Sequence, residues 1–253
     1  MSKNTLSELE KNQSKNITSD MIFLKAQPLT ENIKGILDSF DAGQSIVATG
    51  CAGTGKTFNF LNKAIQEVIK PDSDKKIVIF RNIVPLRNIG HLPGTKEEKE
   101  AEFEAPYIQI VNDTFGTKGT FMYEKMKEKG LLEFHTTSHN QGITIDNAFI
   151  IVDEAQNFNY LELYNAITRS GCNTRIFIAG DFRKQNALKN SKNDKSGLVE
   201  IMNIIKRHTP LLEKFDFYDM KTEDIIRGGD DGLCKLFIEA DFEYYDGEEW
   251  INH

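Results

Sequence analysis

Gly50-Cys51-Ala52-Gly53-Thr54-Gly55-Lys56-Thr57 fits the spacing G-x-x-x-x-G-K-[ST] at every fixed position. Those residue types suit one task, the cradling of a triphosphate. Gly50, Gly53 and Gly55 let the backbone curl so that successive N–H groups converge on an anion. A helix starting near Lys56 adds the positive end of its dipole. The Lys56 ammonium is then expected to reach the β- and γ-phosphates, and the Thr57 hydroxyl to ligate Mg2+. The run Ser45-Ile46-Val47-Ala48-Thr49 just before reads as a buried strand, the context in which this spacing is specific. Cys51 and Ala52 fill variable positions of the loop, and the Cys51 thiol is expected to pack there rather than to react.

A second set of residues could complete a hydrolytic site. Ala148-Phe149-Ile150-Ile151-Val152 is an apolar run that ends in Asp153-Glu154. Asp153 suits the outer coordination of Mg2+, and Glu154 suits the residue that orients or deprotonates an attacking water. Further on, Gly180-Asp181 closes another apolar run and Gln185 follows it. Gln185 is placed to contact the γ-phosphate and report its presence.

These residues need a parallel sheet to bring them together. Strand-like runs at Ser45–Thr49, Lys76–Arg81, Glu133–Thr136, Ala148–Val152, Arg175–Ala179 and Phe215–Tyr218 are separated by helical patterns. The spacing predicts helices over Asn32–Phe40, from the loop to Lys70, over Lys96–Phe103, Tyr160–Thr168 and Ser196–Arg207, with Phe121, Met122, Lys125, Met126 and Leu131 facing inward. Alternating strands and helices imply an α/β fold with right-handed crossovers and ligands at the strand C-termini. Residues 1–20 are polar and read as a flexible arm, 21–240 as the domain, and 241–253 as an acidic, aromatic tail.

Bulk properties limit the alternatives. At 253 residues the chain can bury a full core without staples. Its three cysteines, Cys51, Cys172 and Cys234, show no paired spacing, so neither a disulfide framework nor a zinc site is expected. No apolar run approaches the roughly 20 residues that span a bilayer, and no secretory signal opens the chain, so no membrane partner and a cytoplasmic location are expected. The net charge of −7 argues against a broad basic face for duplex DNA and leaves room only for a local channel.

Taken in order, the motifs resemble the PhoH-like family of P-loop ATPases, relatives of the superfamily 1 helicase core. The likeness rests on Gly50–Thr57, Ile79-Phe80-Arg81, His91-Leu92-Pro93-Gly94 with Lys99 and Pro106-Tyr107, and Asp153-Glu154-Ala155-Gln156-Asn157. Thr168-Arg169 with Gly171, Gly180-Asp181 with Gln185, Ser196-Gly197-Leu198 and Asp224-Ile225-Ile226-Arg227 complete it. The resemblance implies a RecA-like P-loop NTPase fold, ATP and Mg2+ as ligands, and assembly of identical chains into a hexameric ring. It also implies single-stranded RNA or DNA as partner. A short, single-domain member of this kind is expected from a bacteriophage acting in its host's cytosol. In relatives of a lone RecA-like core the arginine that neutralises transition-state charge normally comes from elsewhere; Arg227 and Arg169 are the candidates here, acting either within their own chain or on a neighbour's site. Arg81, Arg87 and His91 are the candidates for contacting a single strand.

The chain departs from the family pattern at four places. Arg81-Asn82 stands where Arg-Pro is usual, and Arg87-Asn88-Ile89 where Gly-Glu precedes Leu-Pro-Gly. Asn140-Gln141-Gly142-Ile143-Thr144 replaces an arginine-rich segment, and Asn32 and Ile33 lie where an adenine-reading Gln is usual. An alternative from another class is an ATP-gated assembly module that contacts a partner through the 241–253 tail. A small-molecule kinase is disfavoured, because no lid arginine cluster can be picked out.

Overall fold

The computed structural model describes residues 17–18, 21–82, 96–116, 121–136, 143–181 and 196–244. Six parallel strands form one sheet: β1 (Ser45–Gly50), β2 (Lys76–Arg81), β3 (Leu132–Thr136), β4 (Ala148–Asp153), β5 (Arg175–Gly180) and β6 (Phe215–Met220). Their spatial order is β3-β2-β4-β5-β1-β6. The strand that feeds the glycine loop is therefore separated from the Asp-Glu strand by β5. A crevice opens at the strand C-termini where the chain reverses its direction of travel across the sheet, the place where open α/β sheets hold ligands.

The near-continuous apolar strands reflect burial on both faces. On one face Ile46, Ala48, Ile77, Ile79, Phe149, Ile151 and Phe177 meet helices α1 (Glu31–Asp41), α2 (Lys56–Val68), α3 (Lys96–Phe115) and α4 (Met122–Glu128). On the other, Val47, Val78, Ile150, Val152 and Ile178 meet α5 (Tyr160–Thr168) and α6 (Leu198–Arg207). The short α7 (Thr209–Leu212) leads into β6, and α8 (Leu233–Tyr244) closes the described chain. Among the described residues no helix is long and apolar enough to cross a membrane.

Phe177 is the centre of the first core. Its ring stacks on Phe40 at 5.2 Å and on Phe60 at 5.3 Å between centroids. Truncation to Ala removes these contacts and leaves a cavity that helices on a rigid sheet close poorly. Phe177→Ala is expected to destabilise the fold by ~3–5 kcal/mol, read as a lower urea midpoint. An unchanged midpoint would mean that the site collapses freely.

Several sequence expectations change. The helix from Lys96 does not stop before Pro106 but continues to Phe115. Proline removes one hydrogen bond and crowds the carbonyl four residues back, at a cost of about 3 kcal/mol. Pro106 and Glu102 both lie on the exposed side, where water can take the freed carbonyl, while Tyr107, Val111 and Phe115 anchor the opposite face. Phe121, expected inward, is 77% exposed, because the buried stripe of α4 begins one residue later at Met122 and Tyr123. Of the N-terminal arm, Ile17 is described and buried in the first core. Asp241–Tyr244, expected in the tail, form the last turn of α8, and 245–253 lie outside the described residues.

A strut joins the two ends of the domain. Asp224 is 1% exposed; its Oδ1 accepts the Thr30 hydroxyl at 2.6 Å, and its Oδ2 accepts the Asn32 amide at 2.7 Å and the Lys221 N–H at 2.9 Å. Thr30 is also the N-cap of α1. The carboxylate thus fastens the start of α1 to the segment leaving β6.

Candidate active site

The glycine loop is formed by its neighbours as much as by its own sequence. Gly50 has φ +114°, and a Cβ there would stand 2.1 Å from the Met220 carbonyl oxygen, so only glycine fits. The Cys51 N–H donates to that same carbonyl at 2.8 Å, which docks the loop on the exit of β6. The buried Thr54 hydroxyl donates to the Cys51 carbonyl at 3.1 Å. Helix α2 begins at Lys56, so its free N–H groups face the loop's hollow.

Lys56 folds back onto the loop. Its ammonium donates to the carbonyls of Cys51 at 2.6 Å and Gly50 at 3.0 Å. Burial pulls its pKa below the usual lysine value, against the opposing pull of Asp181, Glu154 and Asp153. An anion in the hollow would supply the oxygens that these carbonyls now provide.

The Thr57 hydroxyl donates to Asp153 Oδ1 at 2.7 Å, which directs its lone pairs toward the hollow. Asp153 Oδ2 accepts the phenol of Tyr107 at 2.7 Å. Among the described residues no cluster of three His, Cys, Asp or Glu could hold a metal on its own. Mg2+ takes one or two protein oxygens and completes its shell from phosphates and water. Thr57 and Asp153 fit that role.

Glu154 takes left-handed backbone angles, φ 52° and ψ 44°, before the 3-10 turn Ala155–Asn157. A non-glycine residue held there stores roughly 1–3 kcal/mol of strain, and Glu154 lines the same cleft as the loop. The Gln156 amide donates to Glu154 Oε2 at 2.6 Å, while its oxygen accepts the Asp181 N–H at 2.9 Å. Gln156 therefore ties the end of β4 to the end of β5. Burial and then the adjacent Asp153 raise the Glu154 pKa above the ordinary carboxylate value.

Lys56, Thr57, Asp153 and Glu154 line one cleft of about 460 Å3, together with Arg81, Asp181 and Arg227. That volume falls in the range of small-ligand sites. Arg227 enters it because the N–H groups of Ile226 and Arg227 both donate to the Gly53 carbonyl, at 3.0 and 3.1 Å. Arg227 thus lines the cleft of its own chain, a point that the sequence leaves open between its own site and a neighbour's. Arg169 is elsewhere: its Nε donates to the Ile143 carbonyl at 3.1 Å, and its guanidinium lies over Phe80, on the sheet face opposite the phosphate helix. Arg81 lies on the cleft wall, 5.7 and 5.8 Å from the ring centroids of Phe103 and Tyr107. Gln185, Arg87 and His91 lie outside the described residues.

Two residues that bond to the site carboxylates are not singled out by the sequence. Tyr107 was visible only as half of Pro106-Tyr107, and nothing in the spacing said that its hydroxyl would reach Asp153 across 46 residues. Burial and the Asp153 charge hold its phenol well above the usual tyrosine pKa. Gln156 stood inside the Asp-Glu-Ala-Gln-Asn run, but its double contact depends on β4 and β5 being neighbours. The departure at Asn82 is absorbed locally, since its amide donates to the Asn157 carbonyl at 2.7 Å and to Glu162 Oε2 at 2.8 Å. Asn32 and Ile33 do not line the cleft: the Asn32 amide is engaged by Asp224, and Ile33 is core.

Comparison with known proteins bears on the family of the chain. A family described as PhoH-like protein matches residues 25–239. Protein PhoH2 of Thermobispora bispora is 31% identical over 162 residues, covering 63% of this chain and 36% of that protein. The PhoH-like protein of Bacillus subtilis is 29% identical over 183 residues, covering 72% of this chain and 54% of its own. The chain therefore spans about a third to a half of the length of these relatives. A yeast Hsp104–ADP complex aligns at 12% identity with a TM-score of 0.32, over 97% of this chain and 41% of that one, too distant to carry an inference.

Proposed function

Since this chain belongs to the PhoH-like family of P-loop NTPases, we propose that it is a Mg2+-dependent ATPase that couples hydrolysis to single-stranded RNA or DNA as a ring of identical chains. The observation that carries the ATPase reading is the convergence of Lys56, Thr57, Asp153, Glu154 and Arg227 on one cleft. In this reading the loop N–H groups and Lys56 hold the phosphates, and Thr57 and Asp153 hold the metal ion. Bound there, Mg2+ would neutralise charge on the β- and γ-phosphate oxygens. Glu154 accepts a proton from water aimed at the γ-phosphate, and burial and the adjacent Asp153, which raise its pKa, make it a stronger base than an ordinary carboxylate. Arg227 neutralises charge on the leaving side. Arg81, at the sheet's C-terminal edge and on the cleft wall, is the residue through which a strand phosphate would be felt.

A second reading is favoured by α8. Leu233, Leu236 and Phe237 are exposed on it, and Cys234 Sγ lies 3.0 Å from where a Cβ on Gly53 would stand. A helix that leaves the phosphate loop with an apolar surface could make nucleotide state control assembly without any nucleic acid. One paired experiment separates the two. ATPase rate is measured with and without single-stranded RNA and DNA, while light scattering follows the mass with ATPγS. Stimulation by either strand is the expected result. Basal hydrolysis that ignores both, with a mass that responds to ATPγS, would favour the assembly module.

A further inference from the structure

We infer that Tyr107 is a positioning residue for the metal-bearing carboxylate, fixing the orientation of Asp153 and thereby setting how tightly the nucleotide complex holds Mg2+. The inference deepens the proposed reading of the cleft as a metal–triphosphate site and rests on it.

Asp153 is 5% exposed, so solvent does little to fix or screen its carboxylate. Two hydroxyl donors from different helices do so instead. Thr57, on α2, donates to Oδ1 at 2.7 Å, and Tyr107, on α3, donates to Oδ2 at 2.7 Å. With one donor on each oxygen the carboxylate plane cannot swing about its last bond without breaking a hydrogen bond. Each oxygen retains a further lone pair for a metal-bound water.

Tyr107 can impose this orientation because it is itself immobile. It is wholly buried, and its ring packs on Phe134 at 5.6 Å between centroids. Arg81 Nη1 lies 3.5 Å from the phenol oxygen and approaches it as a donor, so the phenol proton points to Asp153. The arrangement is a relay, Arg81 to Tyr107 to Asp153, with Thr57 closing the other side. Partners that orient a metal-serving group commonly matter about 10–100-fold in metal affinity. A buried tyrosine that merely needed an acceptor would add stability and leave metal affinity alone, and the two cases differ in what they predict.

Tyr107→Phe in the full chain removes one oxygen and keeps the ring, and melting curves check that the variant folds. Binding of a fluorescent ATP analogue is measured without metal, then as a function of Mg2+. Metal-free affinity should match that of the unmodified chain, while the Mg2+ concentration giving half of the metal-dependent tightening should rise ~10–100-fold. In an Asp153→Asn background the same substitution should add little, because the two act through one carboxylate. Superposed Mg2+ curves, with or without a lower melting temperature, would overturn the role of Tyr107 alone. An unmodified chain whose nucleotide binding ignores Mg2+ would overturn the metal–triphosphate reading and this inference with it.

Discussion

Replacing Glu154 by Gln is expected to leave a chain that still holds ATP while its turnover falls by ~10²–10⁴-fold. The amide fills the same volume and can still bond to Gln156, so the cleft keeps its shape, but it cannot accept a proton from water. Binding of radiolabelled ATP to a filter, run beside a phosphate-release assay, checks both halves. Undiminished phosphate release would remove Glu154 from the reaction. The raised pKa adds a second readout. Its basic form is lost, as pH falls, at values above the ordinary carboxylate range, so turnover of the unmodified chain should decline early on the acid side. The stability effect has the opposite sign. A carboxyl that holds its proton more tightly when folded favours folding below the unfolded pKa, taken as 4.5, and that contribution is lost as pH rises through the folded pKa. At pH 7 the ionised Glu154 therefore weakens the ligand-free fold. Glu154→Gln should raise the melting temperature at pH 7, with the gain shrinking toward pH 4.5.

Arg227→Ala is the second large effect, a loss of ~10³–10⁵-fold in kcat with little change in nucleotide affinity, as for arginines that neutralise transition-state charge. The structure makes a further prediction about whose site it serves. Residues Ile226 and Arg227 are bonded through their backbone to Gly53 of the same chain, and the Arg227 side chain lines that chain's cleft. Mixing Arg227→Ala subunits with Glu154→Gln subunits should therefore restore no activity, because every cleft lacks one group. Recovery of phosphate release on mixing would assign Arg227 to a neighbour's cleft.

Residues that act locally were legible in the sequence. Glycines at 50, 53 and 55, the lysine and threonine after them, and two acids at the end of an apolar run carry their meaning in spacing alone. The strands were legible for the same reason: β2 and α5 fall on the bounds that their apolar patterns imply. What escaped depends on which strands are neighbours. The Gln156 bridge exists because β4 lies beside β5, the Tyr107 contact because α3 passes over the end of β4, and the location of Arg227 because the segment after β6 leans on Gly53. Pro106 misled in another way. The rule that proline ends a helix is local, and the burial of Tyr107, Val111 and Phe115 on the far side overrode it.

The strand order also bears on how the chain comes into being. Strand β1 leads directly into the phosphate loop, yet both of its neighbours, β5 and β6, are made far later during synthesis. Thr30 and Asn32 wait equally long for Asp224. A nascent chain that has emerged only as far as β4 holds β1 with no strand on either side and a glycine loop without Met220 to dock it. Nucleotide binding is thus acquired only once β6 has been made, and until then β1, an apolar strand of the site, stays a candidate for wrong pairing.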